Sequence, residues 1–181
     1  LVYNESTMGE SELATSSFGQ GFNVTMIEMA AAFSSIVNGG YYYEPHVVSK
    51  ITNSTGDTVR NIEPRVLKQT ISETTSAQMR QYLYAAVAEG TGKSARPAGY
   101  AIGGKTGTAE KVPRDHKHYV VSFIGCAPAD DPQVMAIAII NTPQGTYYGG
   151  QIAAPVIRQL FENILPYLEE KGYTESCNDR Q

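Results

Sequence analysis

Three strand-like runs follow one another in the second half of the sequence, at residues 100–109, 118–127 and 133–141. The last two are separated only by the segment "PADDPQ", whose prolines and aspartates favour a turn. Strands joined by so short a turn lie antiparallel, because a parallel pair needs a crossover of about a dozen residues or more. A helix is predicted to follow over residues 152–170, with Pro155 tolerated in its first turn. This order predicts an α+β fold, an antiparallel sheet with helices packed on its faces, rather than a doubly wound parallel sheet.

Two further helices are indicated by capping residues in the first half of the chain. Thr25 and Glu28 form a capping-box pair ahead of apolar residues at helical spacing, and the Asn-Gly-Gly of residues 38–40 supplies a stop. Ser72 is the predicted N-cap of the second helix, which ends at the Gly-Thr-Gly of residues 90–92.

The remaining segments carry weaker patterns. Residues 1–24 are rich in Ser, Thr and Gly, and we expect loop or irregular structure there. The runs "PHVVSKI" and "TVRNI", joined by "NSTGD", predict a short β-hairpin. We predict one domain over residues 1–172 and a polar tail over residues 173–181.

Composition argues against several classes of function. The formal net charge of −4 gives no electrostatic footprint for nucleic acid, and no apolar run approaches the roughly 20 residues that span a bilayer. Cys126, in an apolar run, and Cys177, in the polar tail, predict no disulfide framework. His116 and His118 alternate on a loop or strand, a weak signal for a metal site that favours a solvated loop instead. We expect neither a metal nor a cofactor.

The stretch "GYAIGGKTGT", which begins at residue 99, fits two motifs. Residues 99–106 match the phosphate-binding pattern G-x-x-x-x-G-K-[ST], whereas residues 105–108 match K-T-G-T, a strand motif of penicillin-recognising serine enzymes. A phosphate loop leads from a buried strand into a helix. The segment before Gly99 is polar, and Gly107 and Pro113 disfavour a helix after it. The nucleotide-binding interpretation therefore stays a remote alternative.

An edge strand would give each residue of K-T-G-T a chemical use. The free N–H and C=O groups of such a strand let a peptide add to the sheet. Lys105 would place a positive charge beside a bound carboxylate or a nucleophilic serine. Thr106 and Thr108 would donate hydroxyl hydrogen bonds, and Gly107 would leave room for substrate. A surface strand with incidental lysine and threonines has the same letters, and these letters alone do not decide between the two.

Six blocks of sequence occur in an order that is typical of one protein family. They are "LATSSFGQGFNVT", "MIEMAAAFSSIVNGG", "EGTGKSA", "IGGKTGTAEK", "SFIGCAPADDP" and "GGQIAAPVI". Together they resemble the C-terminal part of the transpeptidase domain of class B penicillin-binding proteins, of the division and sporulation type found in Gram-positive bacteria. The resemblance extends over nearly the whole chain, to about residue 170.

This resemblance implies part of a penicillin-binding-protein or serine β-lactamase-like fold. It also implies a D,D-transpeptidase that cross-links peptidoglycan stem peptides through an acyl-serine, and that β-lactams inhibit by mimicking D-Ala-D-Ala. The parent protein would have an N-terminal membrane anchor and a catalytic domain outside the cytoplasm. Carried over by motif, Lys105 has a catalytic role and Lys105, Thr106, Gly107 and Thr108 bind substrate. The backbone N–H of Thr108 would be an oxyanion donor.

The family also needs two motifs ahead of K-T-G, S-x-x-K and S-x-N. No lysine of the chain follows a serine by three positions, and Ser176-Cys177-Asn178 matches S-x-N only out of order, after K-T-G. We expect both motifs to precede Leu1, so the isolated chain is predicted to be inactive. Its exposed apolar surface is expected to associate with the remainder of the domain or with itself. The alternative is a non-catalytic scaffold that binds division or sporulation proteins.

Overall fold

The computed structural model describes residues 4, 6–112 and 118–172. The predicted polar tail, His116 and Cys177 lie outside this part of the chain. The helices are α1 (Glu10–Ser16), α2 (Met26–Val37), α3 (Glu73–Ala88), α4 (Gly149–Ile152) and α5 (Ala154–Glu170), with a 3-10 turn at Lys93–Ala95. The strands are β1 (Tyr41–Tyr43), β2 (Lys50–Thr52), β3 (Thr58–Asn61), β4 (Val66–Gln69), β5 (Gly103–Glu110), β6 (Tyr119–Ala127) and β7 (Val134–Asn141).

A three-stranded antiparallel sheet with the order β5-β6-β7 organises the second half of the molecule. The sequence prediction of three successive antiparallel strands is therefore confirmed. Gly107 lies opposite Ser122, and Ser122 lies opposite Ile139. Within the described ranges β5 has only β6 as a strand neighbour, so β5 is an edge strand.

Helices cover both faces of this sheet, as expected for an α+β fold. On one face Phe123 packs in a buried cluster with Ile157 and Phe161 of α5. On the other face Cys126 packs with Phe33 of α2 and Leu83 of α3. These apolar contacts on two sides hold the sheet in place, and they leave the outer edge of β5 outside both clusters.

The predicted helix starts are confirmed. The Thr25 Oγ1 accepts a hydrogen bond from the Glu28 N–H (3.3 Å), and the Glu28 carboxylate accepts one from the Thr25 N–H (2.7 Å). The Ser72 Oγ accepts from the Thr75 N–H at 3.1 Å, which caps α3. Pro155 lies in the first turn of α5, where its missing N–H has no partner to lose. The predicted hairpin forms as β2 and β3.

Three features differ from the sequence prediction or were not foreseen. Irregular structure for residues 1–24 is wrong, because α1 forms there although its N-cap, Gly9, provides no side-chain cap. β1 and β4 pair across the intervening hairpin, a contact that short local patterns do not reveal. The last helix is preceded by a separate short turn, α4, and the two meet at Ala153. In the described part of the chain, no helix is both long and apolar enough to cross a membrane.

Candidate active site

The hydrogen-bond direction of β5 decides which of its groups reach the open edge. The Lys111 N–H, just beyond the strand, donates to the His118 carbonyl at 2.8 Å, so this odd-numbered residue points its backbone groups toward β6. In an antiparallel strand the N–H and C=O of one residue point to the same side, and successive residues alternate. Thr106 and Thr108 therefore direct their backbone N–H and C=O groups away from β6, to the outer edge.

Two side chains confirm this direction because they bind the outward carbonyls. The Lys105 Nζ donates to the Thr106 carbonyl at 3.0 Å and to the Thr106 Oγ1 at 3.3 Å. The Gln20 Nε2 donates to the Thr108 carbonyl at 3.3 Å. The lysine ammonium thus lies at the same edge as the outward backbone groups, although Lys105 and Thr106 start from opposite faces of the strand.

The threonines of the motif differ in their surroundings. The Thr106 hydroxyl lies 3.2 Å from the hydroxyl of Thr91, which belongs to the loop after α3. Thr108 is exposed, so its hydroxyl is accessible from solvent. Thr106 is therefore tied to the surrounding structure, whereas the Thr108 hydroxyl is available for a ligand.

Backbone packing beneath the strand explains the glycines of this region. A Cβ atom added to Gly149 in α4 would lie 2.6 Å from the Ser122 carbonyl oxygen and 2.8 Å from that of Gly107. A Cβ added to Gly104 would lie 2.6 Å from the ring of Phe123. Distances under 3.0 Å leave no room for a side chain, so the glycines let α4 and the core approach β5 closely.

The contact of Gln20 with β5 was not foreseen from the sequence. In the sequence, residues 16–21 ("SSFGQG") belong to a block that carries the family resemblance, and no role was predicted for Gln20. The signal that could have pointed to Gln20 is its position between Gly19 and Gly21, both of which have positive φ angles (+83° and +89°).

The nucleotide-binding alternative is contradicted by the fold. A phosphate loop would end at the N-terminus of a helix. Lys105 and Thr106 lie instead inside β5, which continues as a strand to Glu110. In the described residues no group of three or more His, Cys, Asp or Glu side chains is arranged to hold a metal ion.

Aromatic side chains lie at the end of the sheet near α4. The ring of Tyr147 stacks on that of Tyr119 with 4.2 Å between centroids and an interplanar angle of 7°. Tyr148 is the N-cap residue of α4 and contacts Tyr147 at a tilted angle. The stacking joins the segment before α4 to the first residue of β6.

Comparison with known proteins identifies the family. Residues 3–162 match the family described as penicillin binding protein transpeptidase domain. The chain is 46% identical over 177 residues to stage V sporulation protein D of Bacillus subtilis (strain 168), covering 94% of this chain and 27% of that protein. It is 34% identical over 158 residues to the peptidoglycan D,D-transpeptidase FtsI of Escherichia coli (strain K12), covering 85% of this chain and 25% of that protein.

Solved structures agree with the sequence match. The transpeptidase domain of penicillin-binding protein 3 from Burkholderia pseudomallei, without ligand, is similar with a TM-score of 0.76 and 31% identity, over 93% of this chain and 50% of that one. The chain spans about a quarter of the length of the two curated relatives. Both the sequence and the fold lead to one conclusion: the chain belongs to the penicillin-binding protein transpeptidase domain family.

Proposed function

We propose that this chain is part of a peptidoglycan D,D-transpeptidase, and that the outer edge of β5 binds the stem peptide ending in D-Ala-D-Ala. The observation that carries the proposal is the outward direction of the Thr106 and Thr108 backbone groups, with the Lys105 ammonium beside them. A peptide can add to such an edge as an extra strand, since each outward N–H and C=O has a complementary group in an extended ligand.

Each residue of the motif then has a role in the reaction, and that of Gly107 is to leave room for the substrate. Lys105 attracts the terminal carboxylate of the substrate and supports proton transfer at the nucleophile, while Thr108 donates its hydroxyl to the carboxylate. Thr106 is held by Thr91 and keeps the strand in position. When a serine Oγ attacks the carbonyl carbon between the two D-Ala residues, the oxygen becomes an oxyanion. The Thr108 N–H donates to that oxyanion, and one such donor is typically worth about 10²–10³ in rate.

The serine nucleophile is not supplied by this chain. S-x-x-K does not occur in residues 1–181, so the serine and its lysine base come from another part of the protein. After attack the terminal D-Ala departs as an amine, and an acyl-serine ester remains. The amino group of a second stem peptide then attacks this ester, so the acyl group passes to the new amide bond and the serine hydroxyl is released. Without the serine, the chain alone is inactive, because binding groups retain only a minor part of catalysis.

Exposed apolar residues indicate where the rest of the domain packs. Leu13 of α1, Phe18 of the following loop, and Met26 and Ile27 of α2 are 51–68% exposed. These side chains are exposed and all lie within residues 13–27 of the sequence, which makes them candidates for an interaction surface. We assign this surface to the remainder of the transpeptidase domain, and self-association of the isolated chain is expected when that partner is missing.

The proposed substrate also indicates where the domain acts and in which cellular process. Cross-linking of stem peptides takes place outside the cytoplasm, so the proposal places the domain there, with a membrane anchor in another part of the protein. The similarity to a sporulation protein and to FtsI proteins supports a role in sporulation or division. Proteins of those processes are the expected partners.

The test is acylation of the full-length protein by a fluorescent penicillin, followed by intact-mass spectrometry. One adduct is expected on the wild-type protein, and Lys105→Ala is expected to slow its formation by about 10²-fold, as for loss of one group that stabilises developing charge. Lys111→Ala is the matched control. Its Nζ binds Asn141 and Thr142 (3.0 and 3.3 Å) beyond the end of the strand, so labelling should persist.

Three outcomes would contradict the proposal. An adduct on the isolated chain would mean that a serine within it is the nucleophile. Undiminished labelling of Lys105→Ala would remove the K-T-G lysine from the site. A wild-type full-length protein that takes no penicillin would favour the non-catalytic scaffold instead.

A further inference from the structure

The loop after α1 reaches the outer edge of β5 through one side chain. Gln20 donates from its Nε2 to the Thr108 carbonyl at 3.3 Å, although the two residues are 88 positions apart. Gln20 is half-buried, and Thr108 is the residue whose N–H is the proposed oxyanion donor. The hydrogen bond therefore joins a loop outside the sheet to the residue that supplies the proposed oxyanion donor.

The backbone of this loop fixes the position of Gln20. The Gly19 N–H donates to the Ser16 carbonyl and the Gln20 N–H to the Thr15 carbonyl, each at 3.0 Å, which closes the C-terminal end of α1. Gly19 and Gly21 both have φ angles in the left-handed region, which glycine adopts without steric cost. Gln20 therefore lies between two glycines, and the left-handed backbone of these glycines forms the turns on either side of it.

We propose that Gln20 is a positioning residue for Thr108, an inference that rests on the proposed function. The hydrogen bond to the Thr108 carbonyl holds the peptide plane on the C-terminal side of that residue. Since two backbone dihedrals set the direction of both peptide planes at a residue, holding one of them restrains the N–H on the other side. Gln20 keeps the N–H aimed at the oxyanion without contacting substrate itself.

This role predicts which kinetic step responds. A carbonyl oxygen has two lone pairs, so Gln20 leaves one free for a peptide that adds to the strand. Loss of the Gln20 bond therefore has little effect on initial binding. It weakens stabilisation of the tetrahedral intermediate, which appears in the rate of acylation at saturating ligand.

The experiment uses the full-length protein and measures β-lactam acylation as a function of concentration. Gln20→Glu replaces the N–H donor with an oxygen facing the carbonyl, and the maximal acylation rate should fall by about 3- to 10-fold, the range of one ordinary hydrogen bond. The half-saturating concentration should change by less than about 2-fold. Gln20→Lys, which restores a donor, should recover most of the rate. The melting temperature of each variant separates positioning from loss of fold.

Gln69→Glu is the matched control, because Gln69 also donates from Nε2 to a backbone carbonyl, that of Gly39, at 3.3 Å. It lies away from β5 and should leave the maximal rate unchanged. Three outcomes would overturn the role of Gln20: a wild-type acylation rate in Gln20→Glu, an equal fall in Gln69→Glu, or a change in the half-saturating concentration alone. In each case acylation of the wild-type protein would still uphold the proposed function. Absence of wild-type acylation would overturn both.

Discussion

Gly107 and Ser122 lie directly opposite each other on β5 and β6, and the Ser122 hydroxyl occupies the space that a side chain at position 107 would fill. The Cβ of Ser122 is farther away, 3.8 Å from an added Cβ, which is ordinary contact distance. The close contact at position 107 therefore rests on a single oxygen atom at the end of the Ser122 side chain.

Gly107→Ala is predicted to destabilise the protein by less than about 1 kcal/mol, because the obstructing atom is the terminal hydroxyl of a side chain that can rotate to another staggered position. Ser122→Ala removes the obstructing oxygen, so the double variant should regain most of this loss. Chemical denaturation of the two single variants and the double variant measures the coupling. Additive effects of the two substitutions would show that the hydroxyl is not the obstacle.

Thr108→Pro tests the direction of the β5 backbone. The substitution removes an N–H that faces the open edge, where a sheet tolerates proline. The fold should persist while β-lactam acylation of the full-length protein falls about 10²–10³-fold. Thr108→Ala keeps the N–H and separates the loss of the hydroxyl from the loss of the donor.

Ala109→Pro is the control for this prediction, because Ala109 is the adjacent residue, opposite Val120, and its N–H points toward β6. It should lower the melting temperature much more than Thr108→Pro does. Equal destabilisation by the two prolines would contradict the assigned direction of the strand.

The capping box of α2 predicts a pH dependence of stability. The hydrogen bond from the Thr25 N–H, followed by that from the Thr25 side chain, lowers the pKa of Glu28 below its ordinary value of 4.5. A lowered pKa means that the ionised form is favoured in the folded state. This contribution is therefore present above pH 4.5 and is lost as the pH falls through the folded pKa.

Glu28→Gln removes the titration and keeps a hydrogen-bond acceptor. Its melting temperature should lie below that of the wild-type protein at pH 7, and the difference should shrink at pH 3. Thermal unfolding at the two pH values measures this, and a difference that does not depend on pH would contradict it.

Cys126 is predicted to be unreactive in the folded protein. Burial raises the pKa of its thiol to about 11, against smaller lowering effects from a Gly103 backbone hydrogen bond and from Arg80. The thiolate is the reactive form, and a pKa of about 11 leaves roughly one thiol in a thousand ionised at pH 8. In a Cys177→Ser variant, alkylation at pH 8 should be slow until denaturant is added. Fast alkylation without denaturant would contradict the burial of Cys126.

The raised pKa of the Cys126 thiol also affects the stability of the protein at alkaline pH. A raised thiol pKa favours the neutral form in the folded state, so its contribution is lost as the pH rises toward about 11. Cys126→Ala should therefore reduce the loss of stability between pH 9 and 11, measured by denaturant unfolding. If the variant and the wild-type protein lose the same amount of stability, the loss arises from titratable groups other than the Cys126 thiol.

Sequence patterns predicted those elements whose signals are local. The caps at Thr25 and Ser72 and the turn before β7 are each encoded within a few residues, and they form as expected. The pairing of Tyr42 with Lys68 depends on contacts between distant short segments, so local periodicity gave no sign of it. α1 lacks a capping side chain, and the Ser- and Gly-rich composition around it favoured a loop.

The candidate site likewise combines a feature with a local sequence signal and a feature that depends on a long-range contact. K-T-G-T indicated β5 as the candidate site through the family resemblance, because its letters alone also fit a surface strand with incidental lysine and threonines. The position of Gln20 at the Thr108 carbonyl results from the approach of a loop to a strand 88 residues away. No spacing rule expresses such a contact, although the two glycines beside Gln20 mark an unusual backbone there.

The outer edge of β5 is made of main-chain atoms, and this limits how the protein can change under selection. Every amino acid except proline supplies the same N–H and C=O groups. Replacing one side chain on the strand with any residue other than proline therefore leaves these main-chain groups in place, so a variant that moves them must change the packing around the strand. The residues able to do so are its neighbours: Gly149 beneath it, Phe123 in the core and Gln20 at its rim. Substitutions that shift the main-chain groups of β5 are then expected at positions around the motif rather than within it.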